Sequence, residues 1–189
     1  MIASYESAYS EVESDEITNN QRLVSYFAYF VTTRTSLAAP IVELYRDRVR
    51  NVDLRTTIAA GAGYDLIDRP RIEWNVLGGP AYQRTEFTAV EQDEPSSVED
   101  AALLFRTTFE LDITSDIDWD TSYQLVAVVT DWDRTSQHLS SVFSFEVWGP
   151  LDLDVSFVYD RIEEPAADPD GDNPESEDLQ LTVGVSLEF

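Results

Sequence analysis

The chain has 189 residues, and its 37 acidic against 12 basic residues give a formal net charge of −25. Such an acidic surface repels phosphates and excludes nucleic acid as a partner, while the absence of cysteine excludes disulfides, thiolate metal sites and a cysteine nucleophile. Hydrophobic residues make up 43% of the chain, so we expect a folded core in a single domain over residues 1–189, without a cofactor.

Segments that alternate apolar and polar residues follow one another along the chain. A period of two places apolar side chains on one face of a strand and polar side chains on the other. No segment has the caps and 3.6-residue period of a helix, and no run approaches the roughly 18 apolar residues of a transmembrane helix. In chain order we predict strands around Tyr5–Val12, Leu23–Val31, Pro40–Arg48, Val52–Tyr64, Ile72–Tyr82, Leu103–Ile113, Trp119–Val129, Leu139–Val147, Leu153–Tyr159 and Leu179–Phe189.

The connections between these strands alternate in length. Because alternate connections of an up-and-down sheet lie at the same end, the long ones share one end, as do the short turns. Outer-membrane barrels have this asymmetry, with short periplasmic turns and longer outer loops, and both termini then lie on the periplasmic side. The long connections are Glu163–Glu177 and Phe87–Glu99, both acidic, with Asp131–Ser136 intermediate and Ser14–Asn20 longer; the short ones are Gly149-Pro150, Ser115-Asp116, Asp68-Arg69-Pro70, Arg48–Asn51 and Thr35–Ala39.

Alternation alone does not say which face of the strands points outward. A soluble barrel has its apolar residues inside, whereas a membrane barrel has them outside. Several strands of about 13 residues are long enough to cross a bilayer. Tyr64, Tyr82, Trp119 and Tyr159 lie near strand ends on the apolar face, which fits the aromatic girdles of membrane proteins.

The opposite face carries charges of both signs, which favours a lumen filled by ion pairs. The predicted fold is therefore all-β, a single antiparallel up-and-down transmembrane β-barrel of about ten strands in a bacterial outer membrane, surrounded by outer-membrane lipid and lipopolysaccharide. The predicted lumen-lining residues are Arg55, Arg71, Glu73, Arg106, Glu110 and Asp112.

The last strand carries six alternating apolar residues, the last of which is Phe189. This ending looks like the signal that the outer-membrane barrel assembly machinery reads, so we expect that machinery to bind the C-terminal strand. No signal peptide is visible, since Met1-Ile2-Ala3 leads directly into a polar segment. A barrel of this kind needs export, and we expect the chain to be a mature form or a fragment.

Five motifs occur in a fixed order in the first half of the chain. They are Asn19-Asn20-Gln21-Arg22-Leu23, Arg46-Asp47-Arg48, Asp53-Leu54-Arg55, Gly61-Ala62-Gly63-Tyr64-Asp65-Leu66-Ile67-Asp68 and Gly78-Gly79-Pro80-Ala81-Tyr82. The set resembles the DUF481 family, described as salt-induced outer-membrane proteins, over residues 19–189. The resemblance implies an outer-membrane barrel, which could have about twelve strands in the full-length family, and it carries no catalytic residues.

Two further motifs could suggest binding sites. The glycines of residues 61–63 and 78–79 lack the strand–turn–helix context of a phosphate loop, and within strands they indicate a bend, a bulge or a crowded lumen. Asp168, Asp170 and Asp172 alternate as in a calcium loop, but Pro169 and the position of Gly171 do not fit one. We predict no metal site and regard the three aspartates as candidates for weak cation binding in an acidic outer loop.

The single histidine, His138, lies two residues before Ser140. This His-x-Ser spacing resembles that of outer-membrane lipid A deacylases, with Glu146 as the third partner on the same face of the strand. We expect instead a non-enzymatic envelope protein, with a narrow, cation-favouring pore as its function. The alternatives are a soluble ligand-binding β-barrel and an outer-membrane lipid-active hydrolase that uses His138 and Ser140.

Overall fold

A computed structural model describes residues 2–12, 15–90, 95–149, 151–163 and 175–187. Within these residues ten strands form one sheet in chain order, and each strand pairs antiparallel with the next. The strands are β1 (Ile2–Val12), β2 (Asp15–Phe30), β3 (Thr35–Asp47), β4 (Val52–Arg69), β5 (Ile72–Phe87), β6 (Ser97–Asp112), β7 (Ile117–Val128), β8 (Ser136–Trp148), β9 (Leu151–Ile162) and β10 (Glu177–Leu187). The predicted all-β, up-and-down fold is confirmed.

The connections define two ends of the sheet. We call the end where β4 meets β5, β6 meets β7 and β8 meets β9 the turn end, and the opposite end the loop end. A single 3-10 turn, Trp132–Arg134, lies at the loop end between β7 and β8. No helix in the described part of the chain is long and apolar enough to span a membrane.

Two predicted connections are wrong. The segment Ser14–Asn20 was expected to be a loop, but β2 already begins at Asp15, and Asn20 pairs with β1 and β3. The segment Thr35–Ala39 belongs to β3, and the turn before it covers residues 31–34. Residues 15–19 lie in the ladder with β1, and residues 36–38 pair with both β2 and β4, so ladder hydrogen bonds to neighbouring strands outweigh the local loop preference.

The glycines of β4 and β5 lie where these two strands approach closely. A Cβ on Gly61 would lie 2.8 Å from the carbonyl oxygen of Gly78, and one on Gly79 would collide with the carbonyl oxygen of Ala60. Next to them, the ladder between β3 and β4 is irregular between Ala38 and Ile41. The predicted structural role of these glycines in a bend therefore agrees with their position.

The apolar face of the sheet points outward. Leu179, Leu181, Val183 and Val185 of β10 are 62–70% exposed. The opposite, inner face holds the buried residues of the fold, polar as well as apolar. Its apolar part is a cluster on β3, β4, β6 and β7 formed by Ala38, Ile41, Ala59, Ala102, Leu104, Val126 and Val128.

The sheet curls so that distant strands meet across its interior. Arg22 of β2 contacts Asp160 of β9, and Gln124 of β7 donates a hydrogen bond to Glu43 of β3. Among the described residues the ladders run from β1 to β10, without a ladder between these two strands. The enclosed space is the lumen in which the candidate site lies.

Candidate functional site

Five side chains from five strands meet inside the loop-end half of the barrel. We call Arg22, Glu43, Gln124, His138 and Asp160 the lumen network. Gln124, His138 and Asp160 are cross-strand neighbours on β7, β8 and β9, so they form one row on the inner face. Arg22 and Glu43 reach this row from β2 and β3, on the other side of the lumen.

Arg22 bridges two carboxylates that belong to opposite walls. Its Nη1 lies 3.0 Å from Oε2 of Glu43, and its Nη2 lies 2.8 Å from Oδ1 of Asp160. The guanidinium carbon is also 4.8 Å from the centroid of the Tyr45 ring. Because guanidinium is planar and carries several N–H donors, arginine can hold two carboxylates and an aromatic face at the same time.

The remaining members of the network satisfy the same two carboxylates from the other side. Gln124 Nε2 donates to Glu43 over 2.5 Å, and His138 Nδ1 lies 2.9 Å from Asp160. Arg106 donates from Nε to Oε1 of Gln124 over 3.0 Å and donates to the same oxygen from Nη2. Each buried carboxylate therefore has charged and neutral partners, which offsets the cost of its desolvation.

The connection between β3 and β4 folds inward and covers the network. Arg50 is buried, and its Nη2 donates to the backbone carbonyl of Asp160 over 3.2 Å. The Asn51 side chain donates to the carbonyl of Ala89 over 2.8 Å and accepts from the N–H of Ala89 over 2.9 Å. These side chains tie the β3–β4 connection to β9 and to the β5–β6 connection at the loop end.

The connection between β7 and β8 is fixed in a similar way. Arg134 Nη1 lies 2.8 Å from both carboxylate oxygens of the buried Asp100, and its Nη2 lies 2.8 Å from Asp131. Thr130 donates a further hydrogen bond to Asp100 over 2.7 Å. A single guanidinium nitrogen is therefore shared by the two oxygens of Asp100, and such charge-assisted hydrogen bonds are stronger than neutral ones.

The turn-end half of the inner face is acidic. Glu73, Glu110 and Asp120 are cross-strand neighbours on β5, β6 and β7, and Asp112 pairs with Asp118 one row nearer the turns. Within the described residues these carboxylates have no ion-pair partner. Their strand neighbours point the other way, and Trp74, Phe109, Trp119 and Phe143 form a continuous row of ring contacts on the outer face.

A cavity of about 220 Å³ lies between the two halves of the lumen. Its lining includes Arg22, Glu43 and His138 of the network, together with Thr108 and Ser122. Thr108 lies two positions before Glu110 on β6, and Ser122 lies two positions after Asp120 on β7. Both residues are therefore next to the acidic row, which Glu73, Glu110 and Asp120 form. The cavity therefore connects the network to the acidic turn-end half.

The structure distributes the predicted lumen residues over both halves. Arg55 is buried near the loop end, where its Nε donates to Thr85 over 3.4 Å. Arg106 joins Gln124, and the acidic residues predicted for the lumen lie at the turn end as described above. Arg71 lies exposed at the β4–β5 turn and takes no part in the lumen network, although its carbonyl accepts the N–H of Asp112.

Other expectations fall differently. The carboxylate that contacts His138 is Asp160 rather than Glu146, which lies exposed near the turn end of β8. Alternation with Leu23 and Tyr159 puts Arg22 and Asp160 on the polar face of their strands, but it does not identify them as partners. A charged residue on the polar face was the only feature of the sequence that pointed to either of them. Their pairing could not be seen in the local sequence, because they are 138 positions apart. Asp168, Asp170 and Asp172 lie outside the described residues.

Comparisons with known proteins agree with this architecture. Residues 2–189 match the family described as "Protein of unknown function, DUF481". A solved structure described as "NanC porin structure in rhombohedral crystal form" matches with a TM-score of 0.55 and 12% identity, over 99% of this chain and 93% of that chain. At this identity the likeness shows the fold, which is that of a porin-like β-barrel. No curated protein matches the sequence.

Proposed function

This chain belongs to the DUF481 family of proteins of unknown function, and we propose that it is a non-enzymatic outer-membrane β-barrel with a narrow, cation-favouring lumen. The observation that carries the proposal is the direction of the two faces. Leu179, Leu181, Val183 and Val185 point away from the barrel, whereas Arg22 and its partners point into it.

Lipid is the environment that we propose for the apolar outer face. Burying apolar surface yields about 25 cal/mol per Å², and a soluble barrel would have to leave this face in water. The ring row from Trp74 to Phe143 lies near the turn end, at the level of an aromatic girdle. The soluble ligand-binding alternative would require the apolar face inside, where the structure has ion pairs. Outer-membrane lipid and lipopolysaccharide are therefore the proposed partners of the outer face.

Cation preference is supported by the distribution of charge in the lumen. The turn end presents Glu73, Glu110 and Asp120 without ion-pair partners among the described residues, and the whole chain carries a net charge of −25. A ring of carboxylates attracts cations and repels anions. The loop-end half is filled by the lumen network, and about ten strands leave little open bore, so the proposed pore is narrow.

Planar-bilayer recordings test this function. Purified protein that shows heat-modifiable migration on a detergent gel should give small, infrequent currents, and a potassium chloride gradient should give a reversal potential of the cation-selective sign. The double change Glu110→Gln and Asp120→Asn should move that potential toward zero, while Glu99→Gln on the outer face is the matched control. Anion selectivity, or a protein that is freely soluble without detergent, would refute the proposal.

The lipid-hydrolase alternative gains one observation, the 2.9 Å contact between His138 and Asp160. A carboxylate that orients histidine is half of a nucleophile-activating arrangement. Asp160 is also bound to Arg22, however, and the pair faces the lumen rather than the lipid. We therefore favour the non-enzymatic role; loss of lipid deacylation in Ser140→Ala would be required to establish the enzyme.

A further inference from the structure

We propose that Arg22 is the residue that keeps the lumen closed and sets its charge selectivity. The inference rests on the pore function proposed above. Arg22 contacts Glu43 on β3 and Asp160 on β9, and it thereby joins two walls that are far apart in the sheet. Its side chain crosses the lumen between the cavity and the covered loop end.

The two carboxylates keep other partners when Arg22 is removed. Glu43 still accepts from Gln124, and Asp160 still contacts His138. The His138 contact holds Asp160 on its own wall, because His138 is its cross-strand neighbour, whereas Gln124 reaches Glu43 from across the lumen. Of the contacts made by these two carboxylates, the Gln124–Glu43 bond then still links the two walls. It is a single hydrogen bond from a neutral amide to a carboxylate.

The position of Arg22 relative to the cavity determines what its removal does. The 220 Å³ cavity is lined by Arg22 itself on one side and by Thr108 and Ser122 on the side of the acidic row. Truncation of the Arg22 side chain extends this cavity toward the loop end. The path from the acidic row then reaches the segment covered by Arg50, which is bound to the backbone carbonyl of Asp160.

Removal of Arg22 also changes the charge of the constriction. The guanidinium offsets the two carboxylates of Glu43 and Asp160, which face the same space. Without it, their negative charge adds to that of the acidic turn end. A wider constriction with more negative charge passes cations more readily and anions less readily.

Single-channel recordings on three variants of the full chain test this role. Arg22→Ala removes the bridge, and Arg22→Lys keeps the charge but loses the fork that reaches two carboxylates at once. Arg84→Ala is the matched control, because Arg84 lies on the outer face of β5, is 46% exposed at its side chain and pairs with Glu86 and Glu99. Heat-modifiable migration identifies the variants that fold.

We expect the open probability of Arg22→Ala to rise about tenfold over the unmodified protein, which corresponds to about 1.4 kcal/mol, with a reversal potential closer to that of a pure cation channel. Arg22→Lys should lie between the two, and it still tests the proposal if the alanine variant does not fold. Arg84→Ala should leave both quantities unchanged.

Two outcomes would overturn the proposal, and they separate it from the pore function. If the unmodified protein conducts and the folded Arg22 variants behave like it, the proposed role of Arg22 is refuted and the pore function stands. If no folded variant conducts, the pore function and the proposed role of Arg22 fail together.

Discussion

The outward direction of the apolar face can be tested with one arginine placed on either side of β10. Val183 lies near the middle of the strand and is 64% exposed on the outer face. Thr182, its neighbour, lies on the inner face and pairs with Ser156. Arginine at the bilayer midplane of a barrel costs about 2–4 kcal/mol, so Val183→Arg should lower the folded-to-unfolded ratio by a factor of about 30 to 1,000.

Thr182→Arg should have a much smaller effect. From the inner face its side chain can reach diagonally toward Asp154, which pairs with Gly184. Both variants replace a β-branched residue by arginine in the same strand, so differences in strand propensity are small. Urea titration of folding into phospholipid vesicles, followed by tryptophan fluorescence, gives the two unfolding free energies. Equal destabilisation, or a larger loss for Thr182→Arg, would refute the assignment of faces.

Two further predictions concern backbone packing and the closed loop end. Gly79→Ala should lower the free energy of unfolding by about 1–3 kcal/mol, because the added Cβ collides with the backbone of β4. The heat-modifiable fraction on a detergent gel should fall accordingly. Gly184→Ala is the control and should be tolerated, because nothing lies within 4 Å of a Cβ at that position. Asn51→Ala removes both hydrogen bonds to Ala89, a loss of about 1–3 kcal/mol, and should speed chymotrypsin cleavage after Phe87; an unchanged cleavage rate would show that these bonds do not hold the connection.

Much of the fold could be predicted because a period of two is a local property of the sequence. Leu179 to Val185 alternate without exception, and the structure places them on one exposed face. Connection lengths then indicated the up-and-down order. The errors at residues 15–20 and 35–39 have a common cause, since both segments become strand through hydrogen bonds to neighbouring strands, and the local sequence does not reveal those partners.

The site could be predicted only in part for a related reason. Alternation says that Arg55 and Arg106 face inward, but it does not give their height along the barrel or their partners. Partners across a lumen depend on how far the sheet is sheared as it curls. Arg22 and Asp160 are 138 positions apart, and their contact follows from that shear. Arg71 lies at the β4–β5 turn, where parity alone does not give the side chain a partner in the lumen network.

The placement of arginine determines where the acidic charge of this chain is neutralised. All twelve basic residues are arginines, and Arg22, Arg50, Arg55 and Arg106 line the loop-end half of the lumen, whereas the row at Glu110 has no ion-pair partner among the described residues. In the proposed pore, a cation that enters from the turn end is first attracted by the carboxylates of the acidic row. It then reaches the lumen network, in which the carboxylates are paired with arginine. Closure then resides in the Arg22 bridge, whereas charge selectivity depends on the acidic row as well as on Arg22. Neutralising the acidic row should change the reversal potential with little effect on opening, while changes at Arg22 should alter opening most, because the bridge and not the entrance forms the barrier.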